Sequence, residues 1–370
     1  MSEPSPTACF AQTYAEARRK FVVAASNAGL PVDSVLHPGG GRFGEPLALD
    51  VVRDGPASAG RLLVVSSGCH GVEGFGGSGV QVALLGDAAV REAAHAAGVA
   101  LLHLHALNPH GFSWWRRVTE DGVDLNRNFH DFTQPLPANN AYDPLAALLL
   151  PPTWPPAVDN ETRLFSYAAE HGERAFQQAV SGGQYRHPQG LFYGGHAPTW
   201  SHRTLRSLLR QHGSACRHLA WIDLHTGLGP SGHGEKILAC REDAETRERA
   251  GRWWGDDVTS IYDGSSTSAP LSGLIWQAAY EECPQARYTG ITLEYGTVPA
   301  LDVLAALRAD HWMHLHPHPH PQAAAAQRAS IQRRMRDAFY ADTDDWKARV
   351  VAQGIQAVRQ AIDGLGRDGD

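Results

Sequence analysis

Apolar positions along this chain follow two rhythms. A helical spacing runs from Tyr14 to Ala28, where Phe21, Val22 and Ala25 share one side and Arg18, Arg19 and Lys20 are left to solvent. Short apolar, β-branched runs mark strands at Pro46–Arg53 (PLALDVVR), at RLLVVSS starting from Arg61, at Val99–Leu107, at Leu219–Gly229 (LAWIDLHTGLG), at Gly234–Cys240 and at Tyr288–Tyr295 (YTGITLEY). Further helices are expected at Gly79–Ala97, Glu161–Val180, Ser201–His212 and Ala244–Tyr262, the last with Trp253 and Trp254 buried. Helices Gln322–Ala341 and Asp344–Ile362 are expected as peripheral cover, ending in a frayed GLGRDGD tail.

Strand, helix and strand in succession from Arg61 to Leu107 are the signature of a parallel unit. The expected fold class is therefore α/β, with a mixed, largely parallel central sheet and helices on both faces. One domain is expected over residues 1–370, with its core at about 46–310 and a helical cover at about 322–362. Proline crowds Asp131–Thr162, where periodicity is lost except in AALLL, and this stretch reads as an insertion lying over the core. The run Asp263–Leu274 (DGSSTSAPLSGL) is a loop that either caps a site or simply connects.

Composition narrows the functional classes. With 32 basic and 39 acidic residues the net charge is −7, and no lysine- or arginine-rich run follows a phosphate backbone, so nucleic acid is not an expected partner. No segment reaches the roughly 18 apolar residues of a membrane span, and the N-terminal stretch lacks a basic start followed by an apolar core. A soluble, cytoplasmic protein without a membrane partner is expected. Five cysteines without a CxxC pair indicate neither a disulfide framework nor a cysteine zinc site.

Candidate chemistry concentrates at the ends of predicted strands. In Ser66–Phe75 (SSGCHGVEGF), His70 and Glu73 leave a glycine-flanked turn three residues apart, and two such groups can converge on a shared zinc ion. Among 20 histidines a solvated loop holding a His and a Glu by coincidence is the plain alternative, and the neighbouring Cys69 reads as a small buried thiol. His225 emerges from a later strand end. Two nearby ligands and a distant third form the common pattern of a catalytic zinc site, with the fourth position left to water. Asp223 either supports His225 from behind or is a polar strand end.

Phe112–Phe129 (FSWWRRVTEDGVDLNRNF) places three arginines and acidic residues in a short span. Arg116 or Arg117 is a candidate oxyanion donor. Arg127, helped by Asn126, suits a bidentate grip on a carboxylate, and Asp124 suits the outer N–H of a ligating histidine. A salt-bridged surface loop would look the same. Glu294, near the end of the last core strand beside Ile291, Leu293 and Tyr295, is either a partly buried general base or a surface acid. His187, His196 and His202 sit among turn residues and read as rim or surface. The His-rich run His311–Pro321 (HWMHLHPHPHP) is conspicuous, but its prolines are expected to prevent a helix that would align the rings.

Taken in order, HGVE, NPHG, GVDLNRNF, DLHTG and LEYG resemble the motif set of the zinc carboxypeptidases and of the related aspartoacylase and succinylglutamate desuccinylase group. The resemblance spans roughly Arg61 to Pro299. Segments QYRHPQGLFYGG and PTWS are also similar to a bacterial metallopeptidase branch of that superfamily. The resemblance implies that His70, Glu73 and His225 bind one zinc per chain and that Asp124 orients His70. It implies that Asn126 and Arg127 hold a carboxylate, that Arg116 or Arg117 stabilises the oxyanion, with Arg117 the better fit to the spacing, and that Glu294 is the general base. The carboxypeptidase tyrosine has no clear counterpart, Tyr262 and Tyr280 being the candidates.

The leading expectation is a zinc hydrolase that cleaves an amide or peptide bond next to a free carboxylate, with Glu294 assisting attack by zinc-activated water. The alternative enzyme is an N-acyl amino acid deacylase. A zinc-bearing binding protein without catalysis is a third reading, against which Glu294 and the arginines argue. The expected partner is thus a small peptide or an N-acyl amino acid; oligomeric state is not legible in the chain.

Overall fold

A computed structural model describes residues 6–317, 322 and 324–368. In chain order the elements are α1 (Tyr14–Asn27), β1 (Asp33–Gly40), β2 (Pro46–Asp54), β3 (Arg61–Ser67), α2 (Gly74–Gly86), α3 (Ala88–Ala96), β4 (Val99–His105), α4 (Pro109–Trp114), α5 (Asp143–Leu149), α6 (Val158–His171) and α7 (Glu173–Ser181). They continue with α8 (Trp200–Gly213), β5 (His218–Ser231), β6 (Gly234–Leu238), α9 (Ala244–Trp254), α10 (Gln277–Glu282), β7 (Arg287–Gly296), α11 (Ala300–Leu315), α12 (Ala325–Phe339) and α13 (Asp344–Arg367).

The strands form one seven-stranded sheet in the order β1-β2-β4-β3-β5-β7-β6. Its four inner strands, β4, β3, β5 and β7, run parallel, while β1, β2 and β6 add antiparallel edges. The inner strands are near-continuous apolar runs because both faces are covered. On one face α2 is tied down by Gln81, which donates to the Val65 carbonyl and meets the Ser67 hydroxyl, and α13 lies beside α2. On the other face Tyr280 of α10 packs edge-on against Tyr288 of β7, with α8 packed on α10. Among the described residues, no helix is long and apolar enough to cross a membrane.

Sequence and structure part company mainly at helix boundaries. The expected Gly79–Ala97 helix is two helices, because Asp87 turns extended and its carboxylate caps the amide of Val90. The expected Glu161–Val180 helix breaks into α6 and α7 at Gly172, which sits at φ 89°. Helix α9 stops at Trp254 rather than reaching Tyr262, since Gly255 leaves helical space at φ 100°. As far as Arg367 the C-terminal tail is helical rather than frayed, with Leu365 buried and Gly364 against the Trp253 ring, while residues 369–370 lie outside the described residues. Strand β1 escaped the pattern because most of its side chains are exposed at the sheet edge. Helix α11 carries His311 and His314 before the chain reaches Pro317, so the prolines do not exclude a helix from the first part of the His-rich run. Residues 318–321 of that run lie outside the described residues.

Candidate metal centre and active site

Strand order brings the chemistry together. β3, β5 and β7 are neighbours, and in their register His225 pairs with Glu294 at the carboxyl ends of the parallel strands, where open α/β sheets place their ligands. His70 and Glu73 follow β3 in a 3₁₀ turn, Gly71–Glu73, which leads directly into α2. Gly71 is required there: a Cβ at this position would stand 2.1 Å from the backbone carbon of Gly111. The amides of Gly71 and Val72 donate to the carbonyls of Arg117 and Arg116, so the turn is clamped to the arginine segment.

Glu73 is the hub. Its Oε1 lies 2.8 Å from His70 Nδ1, and its Oε2 lies 2.9 Å from His225 Nδ1 and accepts from the Thr226 amide. The two Nδ1 atoms are 3.2 Å apart. All three side chains are buried. The outer nitrogens are held by carboxylates: His70 Nε2 is 3.1 Å from Asp124 Oδ1, and His225 Nε2 is 2.7 Å from Asp223 Oδ2. Alternation along β5, which puts Asp223 and His225 on one face, makes the second of these contacts.

These residues fit a zinc ion. Two imidazole nitrogens and a carboxylate lie within 4.8 Å of one another, close to the ~3.3 Å separation of ligands held tetrahedrally at ~2.0–2.1 Å. Carboxylates behind both histidines leave Nε2–H donating outwards and direct Nδ1 inwards, as metal-ligating histidines require. Cys69, Asp223 and His225 form another close trio. Burial pushes the Cys69 thiol up to about 12, so it stays protonated and is a poor ligand.

The carboxyl groups of the site shift in opposite directions. Burial alone would raise Glu73, yet His70 and His225 outweigh it and hold the carboxylate below its ordinary range. Burial likewise opposes ionisation of Asp124, and Arg117 with His70 more than compensates. Glu294 goes the other way: burial first, and then the negative charge of Glu73, push it up to about 8, against His225, the Leu228 amide and Arg117.

The two arginines of the pair separate in space. Arg117 lines the site, donating from Nε to Asp124 Oδ2 at 2.9 Å and from Nη1 to Glu73 Oε1 at 3.2 Å, with Nη2 2.7 Å from His70 Nε2. That last contact is compatible only with an unprotonated Nε2; with the proton on Nε2 it would set two donors against each other. Arg116 points elsewhere, into a buried ion pair with Asp310 at 3.0 Å.

Arg127 is buried, with Nε and Nη2 donating to the Ser181 carbonyl and Nη1 to the Asn126 carbonyl. Of five guanidinium hydrogens this leaves one on each terminal nitrogen, a pair suited to a carboxylate. Asn126 spends its side-chain oxygen on the Ile275 amide, which leaves its NH₂ free. Both line the same cavity, of about 950 Å³, together with His70, Glu73, Arg117, His225 and Glu294.

Other expected positions fall outside. Among the described residues no tyrosine lines the cavity: the Tyr262 hydroxyl donates to the Cys240 carbonyl, and that of Tyr280 accepts from the Arg241 amide. His187 pairs with Asp143, His202 stacks on Phe129, and neither reaches the cavity, nor does His196. The Asp263–Leu274 loop does cap it, through Ser268, Leu271 and Leu274. The pattern did not single out Phe192, whose ring lies under Arg117 and Arg127 at 5.2 and 6.0 Å and whose backbone sits at φ 55°. Its only trace in the sequence is the LFYGG segment.

The chain belongs to the family described as "Protein of unknown function (DUF2817)", whose pattern matches residues 10–353. No curated protein matches it. Among solved structures it is similar to carboxypeptidase A from Helicoverpa armigera, at 14% identity over 88% of this chain and 74% of that one, with a TM-score of 0.44. It is also similar to a provisionally named metallopeptidase from Shewanella amazonensis, at 14% identity over 81% and 92% of the two chains, TM-score 0.39. A third is a provisionally named succinylglutamate desuccinylase / aspartoacylase family protein from Shewanella amazonensis, at 20% identity over 77% and 72%, TM-score 0.32.

Two measurements test the site. Protein loaded with Zn²⁺ and dialysed should keep one zinc per chain by atomic emission, lose it in His70→Ala or His225→Ala, and keep it in His311→Ala and His316→Ala. Asp223→Asn should weaken zinc binding by about 10–100-fold. Separately, because the folded-state pKa of Glu294 is raised, its contribution to stability is complete below about 4.5 and is lost as pH rises through about 8. Chelator-treated wild type should therefore lose melting temperature across that window more steeply than chelator-treated Glu294→Gln; equal slopes would show that the carboxyl is not raised.

Proposed function

We propose that this protein is a zinc-dependent hydrolase that cleaves an amide bond adjacent to a free carboxylate. The observation that carries the reading is the convergence of His70 Nδ1, His225 Nδ1 and the Glu73 carboxylate, backed by Asp124 and Asp223, at one end of a cavity that also holds Glu294, Arg117 and Arg127. A zinc ion bound by the three would polarise a carbonyl and acidify water.

The chain's own residues supply the rest. Arg127 and Asn126 bind the substrate carboxylate and so fix where the scissile bond lies. Arg117 donates to the carbonyl oxygen as charge develops on it, in a buried setting where such donors are strong. Glu294 takes a proton from the attacking water and passes it to the leaving amine; a carboxyl raised towards neutrality can do both. Its position is fixed by the Leu228 amide, which donates to Oε1 at 3.0 Å.

Two substrate types satisfy this geometry, a peptide with a free C-terminus and an N-acyl amino acid. Absence of a tyrosine from the cavity wall, among the described residues, favours no peptide-specific contact. Glu294→Gln should retain stoichiometric zinc yet lose detectable turnover, and a fully active variant would sink the mechanism. Arg117→Ala should lower kcat by on the order of 10²–10³. Arg127→Ala should mainly raise KM, an effect that disappears when the substrate carboxylate is replaced by an amide.

A further inference from the structure

The cavity is much larger than the polar centre needs, and its composition is uneven. At about 950 Å³ it reaches the upper size of small-molecule sites. Polar groups gather around Glu73 and along α7, which lends Glu173, Arg174 and Gln177, whereas the walls added by α6 and α11 are hydrocarbon: Phe165 and Ala168 from one, Leu301 and Leu304 from the other. These helices are fastened together by Arg308 of α11, which is buried and binds Glu161 of α6. Leu301, 61% exposed, stands at the mouth.

Position along the cavity gives this wall a role. Arg127 is fixed to Ser181 at the end of α7, which sets the carboxylate end. Arg117, the donor proposed for the carbonyl oxygen, shares a small adjoining pocket with Leu307 of α11, which puts the α11 wall beside it. A group attached to the carbonyl carbon can therefore lie along α11. A peptide extending between α6 and α11 would face helices whose backbones are already hydrogen-bonded and whose lining side chains offer no partner, and its own amides would be desolvated without compensation. A hydrocarbon chain meets no such cost.

We propose, resting on the amide-hydrolase reading, that the substrate is an N-acyl amino acid with a long or aromatic acyl group, lodged between α6 and α11. Hydrolysis adds water across the bond: oxygen joins the carbonyl carbon, the C–N bond breaks, and the amine leaves with the proton carried by Glu294. The products are a free carboxylic acid and an amino acid.

The test uses N-acetyl-, N-hexanoyl- and N-lauroyl-L-alanine and a tripeptide with the zinc-loaded full chain. Each buried methylene is worth roughly fourfold, so kcat/KM should rise on the order of 100-fold from acetyl to hexanoyl and remain high for lauroyl. Calorimetric titration of Glu294→Gln with N-lauroyl-L-alanine gives a readout independent of turnover. Binding is expected, weakened at least tenfold by Leu301→Asp or Leu304→Asp and untouched by Leu36→Ala, a control at a surface leucine 65% exposed on β1. Cleavage of the tripeptide or of acetylalanine as readily as lauroylalanine would overturn the acyl assignment while leaving the hydrolase reading intact. Absence of any amide cleavage by zinc-loaded protein would overturn both.

Discussion

A single buried carboxylate organises this molecule. Glu73 has both oxygens committed, one towards each imidazole, while Asp124 and Asp223 hold the rings from behind. An ionised carboxylate taken out of water is costly unless surrounded by positive charge and donors. The chain meets that demand with His70, His225, Arg117 and a backbone amide, the first three being groups to which the proposed function also assigns a metal ion and a polarised carbonyl. The electrostatic need of one residue thus selects the chemistry of the centre.

Sheet order does the rest. Because β3, β5 and β7 are adjacent and parallel, groups far apart in the chain leave the sheet at one edge. The long connection after β4 returns to the same edge, where it delivers Asp124, Asn126 and Arg127 and clamps the His70 turn with its own carbonyls. Metal ligands, their outer carboxylates and the cationic groups are therefore parts of one hydrogen-bonded unit.

Much of this was legible beforehand, for physical reasons. Parallel core strands are continuous apolar runs, so β3, β4, β5 and β7 stand out, and polar residues at their ends are conspicuous by contrast. Spacing alone left Arg116 and Arg117 open. Their separation depends on which way each guanidinium turns, and Asp310, distant in sequence, captures Arg116. The cavity walls were illegible too. Helix α11 is apolar on more than one side because it faces the core with one and a cavity with another, and periodicity does not distinguish these. Helix breaks at Asp87, Gly172 and Gly255 were missed because each is a local backbone choice inside an otherwise continuous pattern.

The walls and the chemistry come from different stretches of chain. Strand ends and the segment after β4 hold the proposed reacting groups, whereas α6, α7 and α11 shape the space around them, and the two systems meet where the Ser181 carbonyl receives Arg127 and where Asp310 of α11 pairs with Arg116. The architecture is modular in consequence. Replacement of side chains on the helical walls can redraw the range of accepted molecules without disturbing the proton-handling groups, so the same centre can be inherited by enzymes with different diets.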